Sequence, residues 1–417
     1  MRRIEKYTSL EEAVKKLISS IRIKSKVEVI QVSKAYGRVL AEDIVSEKTI
    51  PLHNMAHFDG FAVNSQDTAG AKPSKPVTLK IRGVIKAGEY VEACLNRGET
   101  YRIFTGGYLP KGADTVVPQE AVEVGGEEIK IFSRFNPGEN VDFKGRDVKE
   151  GTTLLKKGHK ISAQDIGLLL RISKHRIKVY VKPRIGILSI GSELTDDPDQ
   201  AKDYGKILNT HRFVIEKLVE AAGGIPEYLG LVPDDLGEIE FRLRESLNIY
   251  DMVLTIGGAS VGDSDLVGKA LQRQNPEEMI QGLRVQPGRV GGFAVIGGKP
   301  VIMLPGHILS TISAYTFLAY PIIRMLQGLS PKPYSIVTEA KTSSPIRHGR
   351  FLGFKRMVWV KVVEIDGEPM VDARIDSSSL YSVAVNSDAY ILIPEGVKEI
   401  QAGEKVKVYF IPGVSHL

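Results

Sequence analysis

The sequence predicts a multidomain α/β plus β protein: a helical region split by a β-rich insertion, a doubly wound α/β domain, and a small C-terminal β-barrel or sandwich. Three observations carry this. The opening segment repeats apolar residues at helical spacing; from about Thr49 to Asp147 the texture changes to short β-type runs broken by Gly and Pro; after Pro183, strand-like and helix-like stretches alternate as βαβ units do. A chain of 417 residues, 42% hydrophobic and 25% charged, can give each region its own core, which excludes a disordered or fibrous protein.

In chain order, Ser9 and Glu12 form a capping box, and Leu10, Ala13, Val14, Leu17, Ile18 and Ile21 then share one helical face. A second helix is expected over 33–40, and a third after the cap at Ser162, through Ile166, Leu169 and Leu170. Strands are expected at 77–84, 115–117 and 128–132. Beyond Pro183, strands at 184–190, 228–232, 252–256 and 301–304 alternate with helices at 210–222, 236–247, 266–273 and after Pro305; Gly223 and Gly224 let the chain reverse after the first of these helices. Alternation returns past Ser330, at 351–363, 370–373, 390–393 and 405–410. The expected domains are 1–48 with 148–182 (helical), 49–147 (insertion), 183–330 (α/β) and 331–417 (C-terminal β). No internal repeat or low-complexity tract interrupts them.

Charge distribution weighs against nucleic acid. The net charge is +6, but 183–330 holds 13 Lys and Arg against 18 Asp and Glu, while the remainder holds 43 against 32. The best-patterned segment is therefore acidic, and no aromatic-studded basic stripe accompanies the surplus elsewhere. Cys94 is the lone cysteine, so no intrachain disulfide or Cys-rich zinc site is expected, and a reducing, cytoplasmic setting follows. The first residues lack the apolar core of a signal peptide, and charged or turn residues break each hydrophobic run, so no membrane association is expected.

In an open parallel sheet, ligands bind beyond the carboxyl ends of the strands. Here those ends read Ser189-Ile190-Gly191-Ser192-Glu193, Pro233-Asp234-Asp235, a run from Gly257 to Asp265, and Leu304-Pro305-Gly306-His307. Gly257, Gly258 and Gly262 let backbone amides approach an anion and Ser260 adds a hydroxyl, although a Gly pair also suits an ordinary βα turn. Glu193, Asp234 and Asp265 come from three strand ends, and acids beside a phosphate cradle make sense if they hold Mg²⁺ against phosphate oxygens; capping the next helix is the plainer reading for Asp234 and Asp235. Gly306 opens the last helix and can offer free amides. In the insertion, His53 and His57 have no third ligand at a recognised spacing and read as a surface turn.

Taken together, Asp59 to Val63 (DGFAV), Arg102 to Glu120 (RIFTGGYLPKGADTVVPQE), Gly138 to Asp147, Ser189 to Leu194 (SIGSEL), Pro233 to Asp235 (PDD), Thr255 to Asp265 (TIGGASVGDSD) and Leu304 to Gly306 (LPG) resemble the molybdopterin molybdenumtransferase family, which includes the gephyrin E-domain. The resemblance spans nearly the whole chain. It implies a split helical domain, the β insertion, an α/β molybdopterin-binding domain and a C-terminal β-barrel-like domain, assembled as a homodimer whose active site is shared between subunits. The implied reaction takes adenylylated molybdopterin, made upstream by a molybdopterin adenylyltransferase, together with molybdate or its near-twin tungstate; it breaks the pyrophosphate with Mg²⁺ assistance, releases AMP and leaves the metal on the dithiolene.

Carried onto this chain, the resemblance makes Asp59, Thr105, Glu193, Asp234 and Asp265 catalytic, with Glu193, Asp234 and Asp265 as the Mg²⁺ ligands. It makes Gly257, Gly258, Ser260, Gly262, Arg289, Pro305, Gly306 and Arg350 cofactor-binding. The family's usual Lys-Pro-Gly-Lys-Pro is Gln286-Pro287-Gly288-Arg289-Val290 here, and its Leu-Pro-Gly-Asn-Pro ends in His307-Ile308. One cationic position is lost and another becomes a planar guanidinium. Two other readings remain: a non-catalytic scaffold paralogue that binds the pterin nucleotide, and the preceding adenylyl transfer.

Overall fold

The structure, a computed structural model, describes residues 7–202, 205–258, 265–332, 337–347, 349, 351–365 and 367–410. The chain divides into two compact units, Met1–Ile30 with Gly37–Ala41 and Lys178–Leu417, and Gln31–Tyr36 with Glu42–Ile177.

The second unit holds the expected insertion as a six-stranded sheet ordered Thr115–Pro118, Gly60–Val63, Glu99–Ile103, Val77–Ile85, Glu128–Ile131 and Val122–Gly125. Gly60–Val63 is wholly buried, and the two-residue period of a strand sends Phe61 and Val63 into one core and Ala62 into the other. Helix Ala163–Arg171 begins at a reciprocal cap: Asp165 N–H donates to Ser162 Oγ at 3.3 Å, and Ser162 N–H donates to Asp165 Oδ2 at 2.7 Å. The helix expected over 33–40 does not form. A single 3-10 turn, Val32–Lys34, stops before Gly37, whose φ of +72° is outside helical space, and Leu40 makes a β-bridge with Val179 instead.

In the first unit, helix Leu10–Ser20 is capped by Ser9 and buries Leu10, Ala13 and Leu17 in the core of the α/β domain. The sequence grouped 1–48 with 148–182; by contact, Met1–Ile30 groups with Lys178–Leu417, because that helix's apolar stripe finds its cover there. Backbone bonds Thr8 N–H to Gly282 O (3.0 Å) and Arg22 N–H to Gly298 O (3.0 Å) fasten the segment at both ends.

The α/β sheet is ordered Ile225–Val232, Arg184–Ile190, Met252–Ile256, Lys299–Leu304, Gly292–Ile296, Glu278–Gln281. The first four strands run parallel; the last two are antiparallel and were not expected, being short and hidden among glycines. Ile185, Ile187, Leu254 and Ile302 pack on the face covered by helices His211–Ala221 and Ile308–Leu326, while Leu188, Ile190, Val253 and Val301 meet Leu236–Ile249 and Leu266–Gln272. The stretch Ile308–Leu326 is the one among the described residues long and apolar enough to cross a membrane, and most of it is buried in this core.

The C-terminal strands Lys355–Ile365, Glu368–Arg374, Val337–Thr342, Lys405–Phe410 and Ala389–Ile393 pair in that order, and the last returns to the first. That is a closed barrel with no free edge, filled by Val358, Val360, Val371, Ile391 and Val408. Val285–Gln286 of the α/β domain adds alongside Lys355–Arg356, joining the two folds by main chain.

Strand Met252–Ile256 ends at Gly257, with φ +85°, where a Cβ would lie 2.3 Å from the Ile190 carbonyl oxygen; at Gly306 a Cβ would meet nothing within 4 Å. Gly257→Ala therefore lowers unfolding stability by roughly 2–4 kcal/mol, whereas Gly306→Ala changes it by less than about 0.5 kcal/mol. Urea unfolding of both variants reads this, and equal losses would contradict the packing.

Candidate active site

The strand ends of the α/β domain are bound to one another. Ser192 N–H donates to Asp234 Oδ2 and Asp234 N–H donates to Ser192 Oγ, each at 2.9 Å, so the loops after the first two strands are locked face to face. Glu193, next along, is exposed, and its carboxylate folds back over Gly191, 2.7 Å from where a Cβ would stand. Gly258 is similarly hemmed in: a Cβ there would sit 2.7 Å from Val267 and 2.8 Å from Ile190 side-chain carbons. The glycine pair thus serves close backbone approach. Ser260 and Gly262, expected to complete the cradle, lie outside the described residues.

The three acids do not converge as expected. Asp265 caps helix Leu266–Gln272, accepting from Gly268 N–H at 3.1 Å on Oδ1, and accepts from the Gln281 amide at 2.6 Å on Oδ2. Its carboxylate is nearly buried and already occupied, so it is a cap rather than an open ligand. Asp235 also caps its helix, through Glu238 N–H at 2.8 Å. Glu193 and Asp234 keep open oxygens at adjacent strand ends. Among the described residues, no three His, Cys, Asp or Glu side chains cluster as an all-protein metal site would need. Two open carboxylates do suit Mg²⁺, which commonly takes one or two from the protein and the rest from phosphates and water.

A polar network missed in the sequence sits beside these ends. Ser189 Oγ donates to Asn209 Oδ1 (3.2 Å), the Asn209 amide donates to Asp196 Oδ1 (3.0 Å), and Tyr228 Oη donates to Asp196 Oδ2 (2.7 Å), with the Arg212 guanidinium 4.2 Å from the Tyr228 ring centre. Burial and the Asp196 carboxylate push the Tyr228 hydroxyl well above its ordinary value, so it stays a proton donor. Its members are scattered over 189–228, with no motif to flag them.

A cationic cleft of about 610 Å³ lies where the α/β domain meets the barrel. Arg289, Pro305 and Gly306 line it, together with His307, Arg356 and Arg374. Arg289 stacks its guanidinium 5.1 Å from the Phe351 ring centre, and Ser313 Oγ donates to Pro287 O at 2.7 Å, holding the turn that carries it. His307 Nδ1 lies 3.0 Å from Ser378 Oγ, and Leu309 N–H donates to Ser378 O at 3.0 Å, tying the last helix to the barrel segment. Arg350, expected here, lies outside the described residues. Arg356 and Arg374 were missed; both sit on barrel strands, where a lone arginine in an alternating run looks like surface.

In the other unit, Asp59 and Thr105, both expected to be catalytic, lie in contact. Asp59 Oδ1 accepts from Thr105 N–H at 2.8 Å and from Thr105 Oγ1 at 2.7 Å. The backbone bond first, then the hydroxyl and Arg102, hold this carboxyl below the usual carboxylate range. Gly60 is forced, since a Cβ would lie 2.1 Å from Val117 O.

Family models match along most of the chain: "MoeA N-terminal region (domain I and II)" over residues 8–173, "Probable molybdopterin binding domain" over 186–325, and "MoeA C-terminal region (domain IV)" over 349–411. A protein of Methanocaldococcus jannaschii assigned to molybdopterin biosynthesis is 31% identical over 394 residues, covering 93% of this chain and 92% of the relative. The molybdopterin molybdenumtransferase of Bacillus subtilis is 29% identical over 415 residues, covering 98% and 95%. The crystal structure of the MoeA protein of Pyrococcus horikoshii OT3 superposes with a TM-score of 0.82 at 29% identity, covering 97% of this chain and 100% of that one.

Behind the cleft, the half-buried His211 stacks on Tyr381 with ring centres 5.5 Å apart, and its Nε2 has no partner among the described residues. Burial, then the neighbouring His307, push its pKa below the ordinary 6.5. The folded state thus favours the neutral ring. Below pH 6.5 the unfolded chain binds a proton that the folded chain refuses, so stability falls as pH drops from 6.5 towards the lowered folded value. Urea midpoints at pH 7.5 and 5.5 should fall further for the wild type than for His211→Phe; parallel falls would contradict this.

Proposed function

We propose, since this chain belongs to the MoeA family of molybdopterin molybdenumtransferases, that it inserts molybdate or tungstate into adenylylated molybdopterin and releases AMP, in molybdenum cofactor biosynthesis. The observation that carries the reading is the cleft lined by Arg289, Arg356 and Arg374 at the carboxyl edge of the α/β sheet. A tetrahedral dianion needs converging donors of positive charge, and planar guanidiniums supply both charge and direction.

The residues divide the work. Arg289, kept in place by Phe351 and the Ser313-anchored turn, meets the oxyanion, and Gly306 leaves room for it to approach backbone. Arg350 would add a further cation. Glu193 and Asp234 would hold Mg²⁺, which would there supply positive charge against the negative charge of the substrate's pyrophosphate. The Ser192–Asp234 pair fixes the direction of one of these carboxylates, and Asp265 caps the helix that follows it. Asp59, kept ionised by Thr105, would act across a homodimer on the partner's α/β domain. The enzyme would work in the cytoplasm, downstream of a molybdopterin adenylyltransferase.

The uncharged Gln286 in the cleft favours one second reading, a scaffold that binds the pterin nucleotide without turnover. Purified protein with adenylylated molybdopterin, Mg²⁺ and either oxyanion separates the two. The transferase releases AMP and retains metal on the pterin; Arg289→Ala and Asp59→Asn each lower that rate by at least about tenfold. Mixed Asp59→Asn and Glu193→Gln dimers recover part of it if the site is shared. Tight nucleotide binding with neither product would establish the scaffold instead.

A further inference from the structure

Trp359, the chain's single tryptophan, is 2% exposed and lines the cleft, yet its Nε1–H is buried and finds no acceptor among the described residues. Arg374 stands directly opposite it on the neighbouring antiparallel strand, lines the same cleft, and has a buried Nε–H equally without acceptor. Opposed residues on such strands hold their Cβ atoms about 5 Å apart. The alternation of strand Lys355–Ile365 explains the placement: Val358 and Val360 fill the barrel, so Met357 and Trp359 face out towards the α/β domain, where they join its core. One Arg374 Nη2 is tied to Asp372 Oδ2 at 3.1 Å, which limits the guanidinium's freedom.

Buried donors without acceptors are rare, and a filled tryptophan N–H is the rule in a packed core. Two such donors side by side in a cleft lined by arginines point to an acceptor supplied from outside the chain. We propose that Trp359 and Arg374 form the floor of the cleft, where the indole N–H and the guanidinium Nε–H each take one oxygen of a tetrahedral oxyanion. This rests on the oxyanion reading of the same cleft and adds to it two specific contacts. The neutral indole donor gives direction without further charge, so it orients the anion while Arg289 and Arg356 attract it. A free metal oxyanion and a phosphate group of the substrate share this chemistry.

Because Trp359 is the sole tryptophan, the full-length protein reports on its own floor. Intrinsic fluorescence is followed while molybdate, tungstate, phosphate and AMP are added separately, and binding of the same anions to the wild type, Trp359→Phe and Arg374→Gln is measured by equilibrium dialysis. The expected result is a saturable fluorescence change with at least one anion and an affinity about tenfold weaker in each variant. A response to molybdate or tungstate assigns the floor to the metal oxyanion; a response confined to phosphate or AMP assigns it to the substrate's phosphate, and both support the site. Should Trp359→Phe fail to fold by circular dichroism, Arg374→Gln, altered at a partly exposed side chain, carries the test. If the wild type binds oxyanion, but without a fluorescence change and as tightly as its variants, the floor is wrong while the cleft stands. If it binds none of the four anions, the cleft reading and the floor fall together.

Discussion

The candidate site depends on a main-chain approach that no side chain would permit. Where strand Met252–Ile256 runs out, the Gly257 α-carbon passes so near the Ile190 carbonyl that an added Cβ would sit 2.3 Å from it, and Gly258 is pressed between Ile190 and Val267. This closeness brings the ends of two parallel strands into one shelf. The reciprocal Ser192–Asp234 bonds bring a third strand end into it, and the Gly257 N–H bond to Leu304 O, at 3.1 Å, a fourth. Carboxylates and backbone are thereby fixed at the carboxyl edge of a sheet that is buried on both faces, the placement that parallel topology makes available for ligands.

Charge is then partitioned by domain. Residues 183–330 are net acidic, and the open acids Glu193 and Asp234 lie within them, whereas Arg356 and Arg374 are delivered to the cleft by the barrel. Carboxylates alone would repel a phosphate or metal oxyanion; a closed barrel docked through Val285–Gln286 against Lys355–Arg356 adds two guanidiniums to the one that Arg289 brings from the α/β domain. The barrel's role is therefore electrostatic as well as structural. Its arginines line the cleft, whereas Glu193 and Asp234 do not.

Much of this was legible in the sequence, for physical reasons that differ by element. The parallel strands and their helices declared themselves because each is long, apolar and periodic, and Asp59 with Thr105 stood in one recognisable motif pair. The two antiparallel strands Glu278–Gln281 and Gly292–Ile296 escaped because they are short and lie among glycines, and the helix expected over 33–40 failed because Gly37 prefers a left-handed turn. Asp265 looked like a ligand because sequence shows that a carboxylate is present but not that Gly268 and Gln281 already occupy its oxygens. Arg374 and Trp359 were invisible as site residues, since only barrel closure and strand register set them face to face.

The central claim is that the cleft of Arg289, Arg356 and Arg374 is the oxyanion site. The most direct measurement is anomalous diffraction at the tungsten edge from crystals of the full chain grown with tungstate. The account predicts a tungsten peak inside this cleft, within hydrogen-bonding reach of the guanidiniums. A peak found only at another place on the protein, or none at saturating tungstate, would contradict it.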